Sequence, residues 1–469
     1  MKKNIFKKCL IFSVILLFIV SGIVSGYDQT STSSSYNCEI VQNKYSNYNF
    51  NVEFPTMKPI YIDSIIIDSS IYDITIVDTP AEFSWKNIDG KDYSTPVKSQ
   101  GNCGSCGLFS AIAALESVIK IREDRPDIEP DLSEQYILSC LPEAALIPGE
   151  GCNGGMAYKA YKLMMESTPK GNNVNGAVLE SFFPYEASDD IPCSIKRLGW
   201  DENLIPISDC GQISIGHDSP ENRERIKSII MDKGPIAAYM YVPLNPNVFH
   251  NWGYANHNPT DYWPYEEMNF EALNHEIVML GWKDDPSIVN GGYWICKNSW
   301  GPNWGYDGFY NIEYGALFTG YLIDWVDYDP DSFNWPEEAH PPSSPSVNGP
   351  TEGKAGSQYE YIISTIDQDE DLVYYTINWD DGVVEKYIGP YNSGEKIIIT
   401  HTWDRRGSYS LKVKSHDIWG AQSEWTTISV TMPKFKLINS PFINKIDKAS
   451  DLVNLFVSLF NQRMSRFNI

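Results

Sequence analysis

Along the chain the spacing of apolar positions changes from segment to segment. Four lysines (Lys2, Lys3, Lys7, Lys8) precede an apolar core from Leu10 to Val20, and small residues follow to Val24-Ser25-Gly26. That order is expected of a signal peptide, 1–26, cleaved after Gly26, and the apolar run is short for a membrane anchor. Residues 27–79 open on a Ser/Thr tract, Thr30 to Ser35, and continue in alternation, as in Tyr61-Ile62-Asp63-Ser64-Ile65. Alternation predicts strand character, and the segment is a candidate prosegment. From Leu108 the spacing becomes helical: Leu108, Phe109, Ile112, Leu115, Val118 and Ile119 predict a helix over 106–122. A second helix is expected over 132–140, with Asp131 or Ser133 as its cap.

Between 207 and 330 short runs punctuated by Gly and Pro, such as Ile236 to Tyr239, Tyr293 to Lys297 and Gly308 to Ile312, predict strands. Pro336 to Pro350 is too rich in Pro and Ser to hold a core. Beyond it, the runs Tyr359–Ser364, Leu372–Trp379, Lys396–His401, Ser408–Val413 and Thr426–Thr431 have the spacing of an all-β sandwich. In the tail, Leu452, Val453, Leu455, Phe456, Leu459 and Phe460 are spaced for an amphipathic helix that docks on the rest of the protein. The expected division is 1–26, 27–79, a first domain at 80–330, a linker at 331–342, a second domain at 343–432 and a tail at 433–469.

The formal charge of −25 over 469 residues argues against phosphate-directed binding of nucleic acid. A chain of this length can bury at least two cores. Of its nine cysteines, Cys9 lies in the leader and Cys38 in the candidate prosegment. The other seven, Cys103, Cys106, Cys140, Cys152, Cys193, Cys210 and Cys296, fit one reactive thiol plus three pairs.

The reactive thiol is best sought in Ser99-Gln-Gly-Asn-Cys-Gly-Ser-Cys-Gly-Leu-Phe-Ser110, where Cys106 stands between a Gly-rich turn and the predicted helix. In a first helical turn the unpaired amides and the positive end of the dipole favour thiolate. Gln100 offers a side-chain amide to an oxyanion, and the Cys106 N–H a second donor. Such a nucleophile needs a distant imidazole and a residue to orient it. His275 lies in Asn274-His-Glu-Ile-Val-Met-Leu-Gly-Trp282, and Asn298 in Lys297-Asn-Ser-Trp-Gly-Pro-Asn-Trp-Gly305.

These three stretches closely resemble the active-site segments of papain-like cysteine proteases, the Asn298 stretch most specifically. One departure is Gly107, where that family usually carries Trp. The resemblance implies an α+β papain-like two-lobe protease domain, its second lobe β-barrel-like, beginning near Pro80. It implies a Cys106–His275–Asn298 site with Gln100 at the oxyanion, requiring no cofactor or metal, and protein or peptide substrates. Gly154 and Gly155 line the substrate cleft by this resemblance, Met156 the pocket for the second residue before the cut, with an apolar preference, and Trp300 shields the Asn–His hydrogen bond. Disulfides Cys103–Cys152 and Cys140–Cys193 are likewise implied, and suit a secreted or cell-surface protein. Cys210 and Cys296 are either a third bridge or two buried thiols.

His250 to Asn269 is longer than the simplest members need and is expected to form a loop over or beside the cleft. Asn378-Trp-Asp-Asp-Gly382, His401-Thr-Trp403, Gly407-Ser-Tyr409 and Asp417-Ile-Trp-Gly420 resemble the signature of polycystic-kidney-disease (PKD) repeats. They imply an all-β immunoglobulin-like sandwich that could bind a surface protein or polysaccharide.

Rival readings stand beside these. Cys103-x-x-Cys106 is also the spacing of a redox pair or half a zinc site, but Gln100, His275 and Asn298 favour the protease. Gly107 and the unusual prosegment motivate an inactive surface-binding or adhesion protein of the same fold. Acyl transfer to an amine is a third reading, though families of that kind orient the His with an acid. Asp367, Asp369 and Asp371 could present carboxylates to calcium, although a solvated turn accounts for them and the EF-hand glycine is missing.

Overall fold

The computed structural model describes residues 77–433, apart from 147–149, 167–174, 244–247, 270–271 and 338–339. The expected leader, nearly all of the 27–79 segment and the tail helix lie outside the described residues.

After a short strand β1 (Glu82–Ser84), the chain enters α1 (Cys106–Arg122), over the predicted span. The helix is buried along most of its length, and Gly107, Ser110, Ala111 and Ala114 keep it thin enough for neighbours to approach. Lys120 and Arg122 end it with positive charge, matching the negative end of its dipole. In α2 (Glu134–Cys140) the cap is Ser133, whose hydroxyl accepts the Tyr136 N–H at 2.9 Å. A third helix, α3 (Ala157–Met165), turns Ala157, Ala160, Tyr161 and Met164 inward at helical spacing.

Among the described residues the sheet beside these helices has eight strands. It uses β1, β2 (Asp209–Ser214), β3 (Ile236–Met240), β4 (Tyr262–Trp263), β5 (His275–Asp284), β6 (Gly292–Lys297), β7 (Phe309–Glu313) and β8 (Leu322–Asp327). Their order is β2-β8-β3-β5-β6-β7-β4, with β1 on the second edge of β5, and every pairing is antiparallel except β4 with β7. Two helices interrupt this region, α4 (Pro220–Lys233) and α5 (Val248–Trp252). The strand-rich expectation for 207–330 passed over α4, although Ser219 caps it, Pro220 opens it and Gly234 ends it. One contiguous core joins α1, α2 and α3 to this sheet through Leu108, Ile112, Leu115, Tyr161, Val278 and Leu280.

Both implied disulfides form, Cys103–Cys152 and Cys140–Cys193, closing loops of 49 and 53 residues. By loop-closure entropy each is worth about 4 kcal/mol. Cys106, Cys210 and Cys296 are buried and take no part in these bridges.

From Ser346 the chain builds two further sheets from β9 (Ser346–Asn348), β10 (Gln358–Ser364), β11 (Val373–Asn378), β12 (Val384–Tyr391), β13 (Ile397–Thr402), β14 (Gly407–Asp417) and β15 (Thr426–Met432). The orders are β13-β10-β9 and β12-β11-β14-β15. Alternate residues Tyr361 and Ile363, Val373, Tyr375 and Ile377, and Leu411 and Val413 fill a shared core with Trp379 and Trp403. Strands β9 and β12 escaped the sequence reading; β12 is an edge strand of mixed exposure that contains Pro390, as edges tolerate.

This β region docks on the first. Ile418 and Trp419 pack with Phe333 and Trp335 against the main core, the Trp335 and Trp419 rings 6.1 Å apart. The Ser181 hydroxyl donates to the Ile418 carbonyl at 3.1 Å, Arg197 donates to the Tyr387 carbonyl, and the Tyr387 hydroxyl donates to Asp131. A Cβ on Gly420 would lie 2.5 Å from Asp131 Cβ, so only glycine permits this approach.

Candidate active site

Cys106 is the first residue of α1 and is 4% exposed. The Ser105 hydroxyl, at the cap position, is engaged with Tyr185 Oη at 2.7 Å, and that phenol donates to the Gln100 carbonyl at 3.0 Å. The Cys103–Cys152 bridge and the Gly104 N–H to Cys152 carbonyl bond of 2.9 Å tie the loop to the Asn153-Gly154-Gly155 stretch. Gln100 is fully buried: its Nε2 donates to the Cys103 carbonyl at 2.8 Å and its Oε1 accepts the Ser299 hydroxyl at 2.7 Å. One N–H of that amide is thereby spent and the second remains.

His275 begins β5 and Asn298 follows β6, so the pairing of these strands delivers both to one end of the sheet. His275 Nε2 lies 2.9 Å from Asn298 Oδ1, which also accepts the Ser299 N–H at 2.8 Å. An atom that accepts from a backbone amide is an oxygen, so Nε2 carries the proton and Nδ1 is the lone-pair nitrogen. Nδ1 is buried without a hydrogen-bond partner. The Trp300 indole stacks on the imidazole, centroids 4.7 Å apart and planes 24° from parallel. A backbone bridge between Ser99 and Trp300 and the Gln100 N–H to Ser299 carbonyl bond of 2.9 Å join the Cys106 loop to the Asn298 loop.

Helix α5 leads into the long insertion, strand β4 lies within it, and both α5 and the insertion pack around the indole. Phe249 and His250 abut Trp300, Trp304 Nε1 donates to the His250 carbonyl at 3.0 Å, and Gly253 presses on Trp304. The insertion therefore buttresses the ring that covers His275.

Electrostatics modify the expectation of a resting thiolate. Burial, then the Glu276 charge, push the Cys106 thiol up to about 12, while the amides of Glu276, Gly107 and Cys106 pull it down. Helix-terminal stabilisation is present but outweighed by desolvation. His275 is lowered to about 4, again by burial first, against the favourable Asn298 bond. Thiol and imidazole are both neutral in the free protein.

Gly154 takes φ +125°, and Met156 packs with Tyr239, Leu273, Phe318 and Leu322. Gly107 shows why no larger residue follows Cys106. A Cβ there would stand 2.2 Å from the Gly155 carbonyl oxygen and 2.7 Å from Glu276 Oε2. The sequence reading missed Glu276; the signal was a charged residue in an otherwise apolar strand, directly after the histidine.

Among the described residues, Asp367, Asp369 and Asp371 can each bring one oxygen within 4.8 Å of the others, a donor set a hard cation accepts. They belong to the β region after Ser346. Asp367 is 2% exposed rather than solvated, its Oδ1 accepts the amides of Asp369 and Asp371, and Asp369 pairs with His340 at 2.9 Å.

The profile of the papain family of cysteine proteases matches residues 79–320. The chain belongs to that family. It is 28% identical over 246 residues to a viral cathepsin of Heliothis zea nuclear polyhedrosis virus, covering 52% of this chain and 56% of that one. It is 29% identical over 234 residues to a viral cathepsin of Autographa californica nuclear polyhedrosis virus, covering 50% and 59%. It is 28% identical over 249 residues to cysteine proteinase 1 of Entamoeba histolytica, covering 53% and 68%. The chain thus spans less than two thirds of these viral relatives. Among solved structures, the PKD domain of an M14-like peptidase from Thermoplasmatales archaeon SCGC AB-540-F20 is 47% identical, covering 20% of this chain and 98% of that one, with a TM-score of 0.20.

Proposed function

We propose that the protein is an exported cysteine peptidase that cleaves protein or peptide substrates through an acyl-enzyme. The observation that carries the reading is the imidazole of His275, held at Nε2 by Asn298 and open at Nδ1, at the end of the sheet against which the Cys106 helix packs. In this reading the Cys106 proton passes to His275 Nδ1 as sulfur attacks the peptide carbonyl carbon. The oxyanion takes the Cys106 N–H and the second N–H of Gln100. Collapse breaks the C–N bond, and His275 gives its proton to the leaving amine. Water, deprotonated by His275, then attacks the thioester and releases the acid and the thiol. Trp300 keeps water from the His275–Asn298 bond, Gly154 and Gly155 pair with the substrate main chain, and Met156 gives its pocket an apolar preference.

Export is supported by the leader pattern and by two disulfides, and no described helix is long and apolar enough to cross a membrane. We assign the 343–432 domain to the PKD class on its motifs and propose a surface protein or polysaccharide as its ligand. The inactive-binder alternative rests on Gly107; its fit against Gly155 supports an adapted site rather than a decayed one. The test is labelling of the purified chain, lacking residues 1–26, by an epoxysuccinyl peptide. The expected result is an adduct on Cys106 and peptide hydrolysis that Cys106→Ala abolishes. Absence of both, even after removal of the segment before Pro80, would sink the peptidase.

A further inference from the structure

Behind the nucleophile, four adjacent strands each turn one buried polar side chain toward the helices: Gln212 from β2, Asp324 from β8, Tyr239 from β3 and Glu276 from β5. Gln212 is the register partner of Asp324, and Tyr239 that of Glu276. Asp324 is fully supplied with donors. It accepts Gln212 Nε2 at 2.9 Å, the Tyr239 hydroxyl at 3.2 Å and the Tyr158 N–H, in the first turn of α3, at 3.0 Å. Glu276 is not. Ser110, the Ala157 amide and Tyr239 face its carboxyl, yet none completes a hydrogen bond of good geometry and both oxygens are buried without a partner.

That carboxyl stands where two helix starts meet. Its Oε2 lies 2.7 Å from the place a Cβ of residue 107 would take, beside Cys106, and it faces Ala157, the first residue of α3. Met156, at the cap position of α3, gives that helix no side-chain cap, so its leading amides depend on these two acids from the sheet. A buried carboxyl with few donors, next to one with many, keeps its proton.

We propose that Glu276 is a positioning residue for the nucleophile: its carboxyl packs beneath Gly107, between the first turn of α1, carrying Cys106, and the first turn of α3, which follows Gly155 and Met156. The inference rests on Cys106 being the nucleophile. The titratable groups that act on Glu276 or feel its charge are Cys106 from α1, Tyr161 from α3, Tyr239 from β3 and Asp324 from β8, while Lys98, Glu134 and Lys297 line one cavity with it on the side toward Ser110. Burial, then Asp324, raise Glu276 well above the ordinary carboxyl range, so the neutral form persists past the usual titration. When Glu276 ionises it sets a second negative charge beside Asp324 and opposes the Cys106 thiolate.

The experiment follows alkylation of Cys106 by iodoacetamide in the full exported chain, mapped by mass to separate it from Cys210 and Cys296. The rate is compared between wild type and Glu276→Gln, which keeps the shape and cannot ionise. The expected result is a variant-to-wild-type rate ratio that climbs about tenfold from acid to alkaline pH as wild-type Glu276 ionises, the effect of one pH unit on thiolate population. A flat ratio in a variant with wild-type circular dichroism overturns the proposal. If Glu276→Gln does not fold, Asp324→Asn replaces it. Removing that neighbouring charge lets Glu276 ionise sooner and moves to lower pH the point at which its charge slows the rise of Cys106 alkylation; an unmoved profile overturns the proposal equally. Hydrolysis with a flat ratio rejects Glu276 and keeps the peptidase, whereas a climbing ratio without hydrolysis does the reverse.

Discussion

Two groups of buried acids flank the Cys106 helix, and they are neutralised by different means. On one side, beside the docked β region, Lys98 lies 2.7 Å from Asp131, 2.8 Å from Glu116 and 3.2 Å from Glu134. On the other, no lysine or arginine among the described residues pairs with Glu276 or Asp324, and the donors turned toward them are hydroxyls and amides. Burial pushes the Asp131 carboxyl up, but Lys98 and the Tyr387 hydroxyl more than offset it, and the group sits below its usual range. Asp324, without a cation, is raised by burial to about 7. One cation does not hold every buried acid around it charged: Glu134, near the same lysine but also near Glu116 and Asp131, is raised to about 7, by burial first. Where no cation is near, a proton substitutes, and the structure becomes sensitive to pH in the opposite direction.

The largest test of this contrast removes the cation. Lys98→Met leaves the buried carboxylates unpaired and is expected to cost about 3–5 kcal/mol, read from urea unfolding near neutral pH. The pH dependence comes next. Asp131, with its folded value lowered, binds fewer protons folded than unfolded, so its contribution is present at neutral pH and is lost as pH falls through the acid range. Asp324, with its folded value raised, binds more protons folded, so its contribution is lost as pH rises from about 4 to about 7, by at most about 4 kcal/mol. Urea midpoints of Asp324→Asn should decline less over that interval than those of wild type. Gln212, whose Oε1 lacks a partner, can turn to receive the new amide. An unchanged decline would place the sensitivity elsewhere.

A smaller effect is expected at Gly107. Gly107→Ala drives a methyl into the Gly155 carbonyl and the Glu276 carboxyl, costing about 2–3 kcal/mol by thermal unfolding. The smallest belongs to the docked region, where Tyr387→Phe deletes the donor to Asp131 and should cost about 1 kcal/mol. A null result there would mean that Lys98 alone keeps Asp131 ionised.

Much of this arrangement is legible in one dimension. The span of α1, the capping Ser133, both disulfide pairs and the alternating cores of β10, β11 and β14 follow from apolar period, capping chemistry and motif. Cys106, His275 and Asn298 are legible because each sits at the start or end of an element in a recognisable local context. Helix α4 was hidden because most of its residues are polar and its inward set is reduced to Ile226, Ile229, Ile230 and a few polar neighbours. The row Gln212, Asp324, Tyr239 and Glu276 could not be read, since it exists only across strands whose order is not sequential. The burial around Cys106 is hard to read for a related reason: the amides that favour thiolate are local, while the residues that enclose the thiol are distant in the chain.

The aromatic contact between Trp419 and the pair Phe333 and Trp335 carries a practical consequence. Both indoles are partly enclosed by the seam where the β region meets the rest of the chain. If that seam opened, each would move into water and emit at longer wavelength, so fluorescence from Trp335 and Trp419 is a built-in gauge of undocking. Read in proteins where either tryptophan is replaced by Phe, it would report separation of the two parts before either unfolds.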